Sequence, residues 1–336
     1  MEFAECYDER EHDPGRSCMI LPLLWAVCAI AGYVYSRQQN IPTHTALLAL
    51  PAFLLEASFY YVLGTEGLRA RIEKLPRAAV AALLTVAAVA PYAAASLALG
   101  SFRWQTLLWI AGLAAAASFW YVLLPHNAAV DLLFLFLMAL VILTRVFRRL
   151  YVNPHPRLPL DALGQLMWIR TDAFAMLSVR RVKGVGFGFW PAAREWKIGA
   201  MYYVAFAPVA AALAWAIHFA KPRVPVLGWG KTSLLAVGMF FAVLWVLALG
   251  EEFFFRGLLQ QWMTTWLASE WAGLIATSIL FGAVHLWFRD FPNWRLALLA
   301  AVAGVFYGLA FRQARSIRAS MVTHALVVTT WRLFFA

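Results

Sequence analysis

Charge is scarce in this chain. Only 13% of its 336 residues are Asp, Glu, Lys or Arg, about half the roughly 25% typical of a soluble domain, and so thin a polar surface excludes a water-soluble enzyme of this size. Cysteine is scarce too. Cys6, Cys18 and Cys28 are odd in number and lack a CxxC pair, which excludes a disulfide framework and a thiol zinc or redox motif. Acidic residues number 17, and six of them (Glu2, Glu5, Asp8, Glu9, Glu11 and Asp13) fall in the first 18 positions beside Arg10 and Arg16. A secretory signal needs a basic start and a small-residue cleavage site, so this segment reads as a short polar tail.

What the chain has instead is apolar length. Hydrophobic residues reach 63% against roughly 45–50% in ordinary globular chains, and they recur in runs near the ~20 residues that cross a bilayer as a helix. Ten spans are expected, near 19–35, 43–64, 78–99, 104–123, 128–144, 198–219, 232–250, 270–288, 296–313 and 319–335. Lipid satisfies no free backbone groups, so all must be helical. The expected fold is an all-α, polytopic bundle of about 10 transmembrane helices. Pro51 and Pro91 fall inside two spans and predict kinks or re-entrant turns. The net charge of +11 fits basic loops retained on the cytoplasmic side; the partner it implies is the lipid bilayer, with no nucleic acid.

The longest polar stretch, 145–197, holds Arg145, Arg148, Arg149, Arg157, Arg170, Arg180, Arg181, Lys183, Arg194 and Lys197 against Asp161, Asp172 and Glu195. Its excess of positive charge places it in the cytoplasm. Its prolines from Pro154 to Pro159 and its glycines Gly184, Gly186 and Gly188 read as loop punctuation around a short amphipathic helix. It divides the chain into an N-terminal membrane half, 1–144, whose role the sequence does not state, a basic linker, 145–197, and a C-terminal half, 198–336.

Ionisable side chains inside spans are costly, so each is a functional candidate. The densest group is Glu251-Glu252-Phe253-Phe254-Phe255-Arg256 at the end of the seventh run. Glu252 and Arg256 are four apart, on one helix face, so Arg256 can neutralise Glu252 and leave Glu251 turned elsewhere. The plain alternative is a helix-end salt bridge. His285 and His324 lie in later runs, with Phe281 four residues before His285. Taken singly, each histidine also fits a packing role; with the glutamates they suffice for a metal site or for a carboxylate-activated water. Glu56 and Asp131 read either as partners for another helix or as substrate contacts.

These residues resemble the CAAX-protease and bacteriocin-processing (CPBP) family of intramembrane proteases, including the type II CAAX endopeptidases. That family shows EExxxR, FxxxH and HxxxN or a variant on successive membrane helices. Here the counterparts are Glu251-Glu252 to Arg256, Phe281 to His285, and a third motif beginning at His324, across about 235–335. The resemblance implies catalytic roles for Glu251, Glu252, Arg256, His285 and His324. Glu251, helped by His285, would activate a water; Glu252 would be held by Arg256; His324 would stabilise the oxyanion. The family has been read both as zinc and as glutamate proteases. The expected cofactor is therefore none or one zinc ion, whose ligands would be Glu251, His285 and His324. The HExxH zinc motif is absent. The family's Asn is replaced by Val328, which implies a weakened oxyanion hole, a substitute donor such as Thr323 or Thr329, or an inactive member.

The function expected from all this is an intramembrane endopeptidase acting on a membrane-anchored protein or peptide precursor. The abundance of Ala, Trp and Arg suggests a GC-rich bacterial source and the inner membrane as location, which disfavours a prenylated substrate. Two other readings are a non-catalytic scaffold of the same fold and an ion-coupled transporter using Glu56, Asp131 and Glu251. The oligomeric state is not legible.

Overall fold

Helices begin where apolar runs begin and stop at turn residues, and the computed structural model contains no strand among the residues it describes. These are 14–220, 223, 228–288 and 291–335, with side chains from residue 20 onward. The acidic tail and Cys6 lie outside them, as does the side chain of Cys18.

Two compact units divide the chain, Met1–Arg181 and Val182–Ala336. The first holds α1 (Pro14–Gln38), α2 (Thr43–Gly64), α3 (Glu66–Ile72), α4 (Arg77–Ala98), α5 (Trp104–Leu123), α6 (Ala128–Leu143), α7 (Val146–Leu150) and α8 (Asp161–Phe174), which continues through a π-helical stretch, Ala175–Val179. The second holds α9 (Ala193–Ala216), α10 (Trp229–Ala242), α11 (Leu249–Glu252), α12 (Gln261–Trp266), α13 (Glu270–Val284), α14 (Trp294–Ala314) and α15 (Ile317–Phe334). The stretch expected as a linker is thus shared between the units, 145–181 in the first and 182–197 in the second.

Eight helices among the described residues are long and apolar enough to cross a membrane. Two of the ten expected spans fall outside that set. α6 has 16 residues, about 24 Å of helix against roughly 30 Å of hydrocarbon, and α15 carries Arg318, Arg332 and several hydroxyl side chains. The lipid-facing character of the others shows in large side chains left more than half exposed, among them Leu47, Val86, Trp109, Val204, Leu234 and Ile279. The chain, all-helical among its described residues, is a multi-pass integral membrane protein.

In the first unit α2, α4 and α5 surround α8. The residue pattern predicts a short amphipathic helix among loops here; the structure buries the helix, with Leu163, Met167, Trp168, Phe174, Arg170 and Asp172 almost wholly enclosed. Its arginine is interior because it has an interior partner. Arg170 Nε and Nη2 donate to the two carboxylate oxygens of Glu56 at 2.7 and 3.1 Å. Nη2 also reaches the Ala87 carbonyl at 3.2 Å. Pro91, four residues on, has no N–H to give that carbonyl, so α4 runs unbroken through its proline and the arginine satisfies the oxygen the proline frees. No re-entrant turn forms at Pro51 or Pro91.

Candidate active site

Residues 229–266 form one long helical run in which α-helical turns alternate with π-helical ones, Val243–Ala248 and Phe253–Gln260. π turns inside α-helices are frequent at functional sites, because each displaces the side chains that follow it around the helix. Glu251 and Glu252 sit on the short α segment between them.

The pair divides as the spacing predicts. Glu252 is wholly buried and its Oε1 accepts from Arg256 Nη1 at 3.1 Å, whereas the Glu251 side chain is 32% exposed. Arg256 is itself wholly buried. Its guanidinium lies 4.5 Å from the centroid of Phe281, 5.2 Å from Tyr307 and 5.7 Å from Phe255, so ring faces replace part of its hydration. Nη2 donates to the Gly304 carbonyl at 3.1 Å.

His324, on α15, joins the two glutamates. Its Nδ1 is 2.7 Å from Glu252 Oε1, and its Nε2 is 3.8 Å from Glu251 Oε2. Glu252 Oε1 is an acceptor, already taking a bond from Arg256, so the Nδ1 proton points at it and Nε2 is the atom turned towards Glu251. One buried carboxylate oxygen thus orients both a guanidinium and an imidazole, while Glu252 Oε2 and Arg256 Nε have no partner among the described residues.

His285 reaches the cluster through rings. It caps α13, and its Nδ1 lies 2.7 Å from the Phe281 carbonyl. A carbonyl only accepts, so Nδ1 carries the proton and Nε2 keeps its lone pair. The Phe281 ring stands 4.8 Å from the imidazole of His285 and 6.0 Å, edge-on, from that of His324. Glu251, Glu252, Arg256 and His324 are therefore in direct contact or near it, and among the described residues no hydrogen bond joins His285 to either glutamate.

Among the described residues no three His, Cys, Asp or Glu side chains group as metal ligands. The engagement of both Nδ1 atoms, one by Glu252 and one by a carbonyl, is compatible with ligation through Nε2, since a ligating histidine commonly has its other ring N–H held in this way. Glu251, His285 and His324 form no ready three-donor set in this arrangement.

α14, expected only as a membrane span near 296–313, also enters the site. Gly304 and Gly308 accept from Arg256 and Gln260, each pair four residues apart, at 3.1 and 3.3 Å. A Cβ on Gly304 would lie 3.2 Å from Arg256 Nη2 and from Ser278, and one on Gly308 would lie 2.7 Å from Gln260 Oε1, so an added methyl at either position would make Arg256 or Gln260 shift. Between them Tyr307 stacks on His324, ring centroids 4.7 Å apart and planes at 16°. The available signal was the small-xxx-small spacing in an apolar helix.

Comparison with protein families places the similarity here. Residues 232–330 match the family model "Type II CAAX prenyl endopeptidase Rce1-like". This segment is similar to that family. It contains every residue of the cluster just described, and the family match supports a membrane protease. Comparisons with curated proteins and with solved structures return no match.

Proposed function

We propose that the Rce1-like segment is an intramembrane endopeptidase hydrolysing a peptide bond with a water activated by Glu251. The observation that carries this reading is the unequal treatment of two adjacent glutamates. One is buried and held by Arg256 and His324, and its neighbour is left partly exposed, 3.8 Å from the same imidazole.

Amide hydrolysis needs a base, oxyanion donors and a proton for the leaving amine. Glu251 takes a proton from water as the water oxygen bonds to the carbonyl carbon. The His285 Nε2 lone pair accepts a hydrogen bond from the same water. His324, gripped at Nδ1, presents Nε2 to the carbonyl oxygen and donates when protonated there. The C–N bond then breaks and Glu251 passes its proton to the amine, which restores the carboxylate.

The substrate class is a membrane-anchored protein or peptide precursor, and the location the bacterial inner membrane. The family's name refers to prenylated CAAX substrates, whereas the composition points to a bacterial source, so both classes are assayed. Purified protein in proteoliposomes is given two internally quenched peptides, one ending in a prenylated cysteine and three residues, the other an unlipidated apolar helix. Wild type cleaves one of them, and Glu251→Gln and His285→Ala do not. Unchanged cleavage in both variants removes the assignment, and loss of wild-type activity on complete chelation moves the mechanism to a metal. The transporter reading loses two of its three carboxylates, since Glu56 and Asp131 are each closed by an arginine.

A further inference from the structure

An amide-hydrolysing site needs a neutral or cationic donor at the oxyanion, and the two substitutes suggested by the sequence are engaged or turned away. Thr323 donates its hydroxyl to the Gly199 carbonyl at 2.9 Å, with Ala319 as a second acceptor at 3.2 Å. Thr329, five positions after His324 and so about 140° around the helix, lines an apolar cavity of about 240 Å³ with Phe240, Phe241 and Leu326. Val328 has no polar atom.

Tyr307 is placed differently. Its ring lies flat on the His324 imidazole, 5.9 Å from Phe281, and is 2% exposed. The bonds from Arg256 and Gln260 to Gly304 and Gly308 fix α14 on either side of it. The same ring lies 5.2 Å from the Arg256 guanidinium, which is bonded to Glu252. No described residue hydrogen-bonds the Tyr307 hydroxyl, and it is not one of the wholly enclosed orphan polar atoms, which in this site are Glu252 Oε2 and Arg256 Nε. A phenol inside a core normally has a partner, and one without a protein partner needs an explanation. Stacking on His324 alone would be served by phenylalanine.

We propose that the Tyr307 hydroxyl is an oxyanion donor of this site, supplying from α14 the hydrogen bond that Val328 cannot supply from α15. The inference rests on the endopeptidase reading. As the carbonyl oxygen becomes negative, the Tyr307 O–H and His324 Nε2–H bond it together; no proton is transferred, and the tyrosine is unchanged when the C–N bond breaks.

The test uses the full chain in proteoliposomes and whichever quenched peptide wild type cleaves. Tyr307→Phe is expected to lower kcat ~10²-fold, as for loss of one oxyanion donor, with KM and melting temperature close to wild type. Adding Val328→Asn returns part of the lost kcat by restoring a donor on the His324 face. Should Tyr307→Phe not fold, 4-fluorophenylalanine at 307 keeps the ring's length without a donor, and 4-aminophenylalanine keeps one. The first loses activity and the second retains it. Wild-type kcat in Tyr307→Phe or in the fluoro variant overturns the inference while Glu251→Gln stays inactive; wild-type cleavage by Glu251→Gln overturns the endopeptidase reading beneath it.

Discussion

Both units bury carboxylates opposite arginines, but they finish the job differently. In the first unit each oxygen of the paired carboxylates is used. Glu56 is held at both oxygens by Arg170, and Asp131 is held at both by Arg180, at 3.0 Å each, with Tyr121 adding a third bond at 2.8 Å. In the second unit Glu252 spends one oxygen on both a guanidinium and an imidazole and leaves the other without a partner among the described residues, and Glu251 has a 3.8 Å contact and partial exposure. A saturated pair has nothing left with which to bind or move a proton. An unsaturated one does, at a cost in stability, so saturation separates structural charges from chemical ones better than burial does.

Breaking each kind of pair sharpens the contrast. The largest effect is expected from Glu251→Gln, which lowers kcat by ~10²–10⁴-fold, the usual contribution of a general base, with an unchanged melting temperature. A drop in melting temperature without loss of kcat would make Glu251 structural. Glu56→Ala does the reverse. It strands a buried guanidinium and destabilises by about 3–5 kcal/mol in denaturant titration, while cleavage per folded molecule stays at the wild-type rate. Gly304→Ala pushes a methyl against Arg256 and Ser278; it costs about 1–3 kcal/mol and lowers kcat by displacing the cation that holds Glu252.

The smallest effect belongs to Asp172, a charge with no such partner. It is enclosed in α8 with Oδ1 unpaired among the described residues, outside the candidate spans, and burial holds its carboxyl well above the usual carboxylate range. Its folded form keeps the proton after the unfolded chain has lost it. The folded state therefore binds more protons, and stability falls as pH rises from about 4 towards that raised value. Asp172→Asn flattens this slope and stabilises by about 1 kcal/mol at neutral pH, seen as melting temperature against pH. An unaltered slope would count against it.

Much of this was legible in residue order. Apolar runs marked eight of the helices, and the four-residue spacing placed Arg256 on Glu252. Two kinds of fact were not. The polar stretch around Arg170 looked like surface because its partner Glu56 lies 114 residues away, and composition counts charges without pairing them. Tyr307, Gly304 and Gly308 carry no local pattern of chemistry. Their importance comes from how closely α14 approaches the motif helix, which depends on side chains absent rather than present. The expected help from His285 to Glu251 has no direct hydrogen bond, and His324 takes the contact instead.

The proline inside α4 has a further consequence. On any propensity scale Pro91→Ala improves a helix, yet it would return the Ala87 carbonyl to its own helix and set an amide competing with Arg170 for one oxygen. A sequence optimised helix by helix would remove that residue first. In this chain the interruption in one helix serves as a docking point for another helix's charge, so the two positions must vary together, and neither can be judged from the segment that contains it.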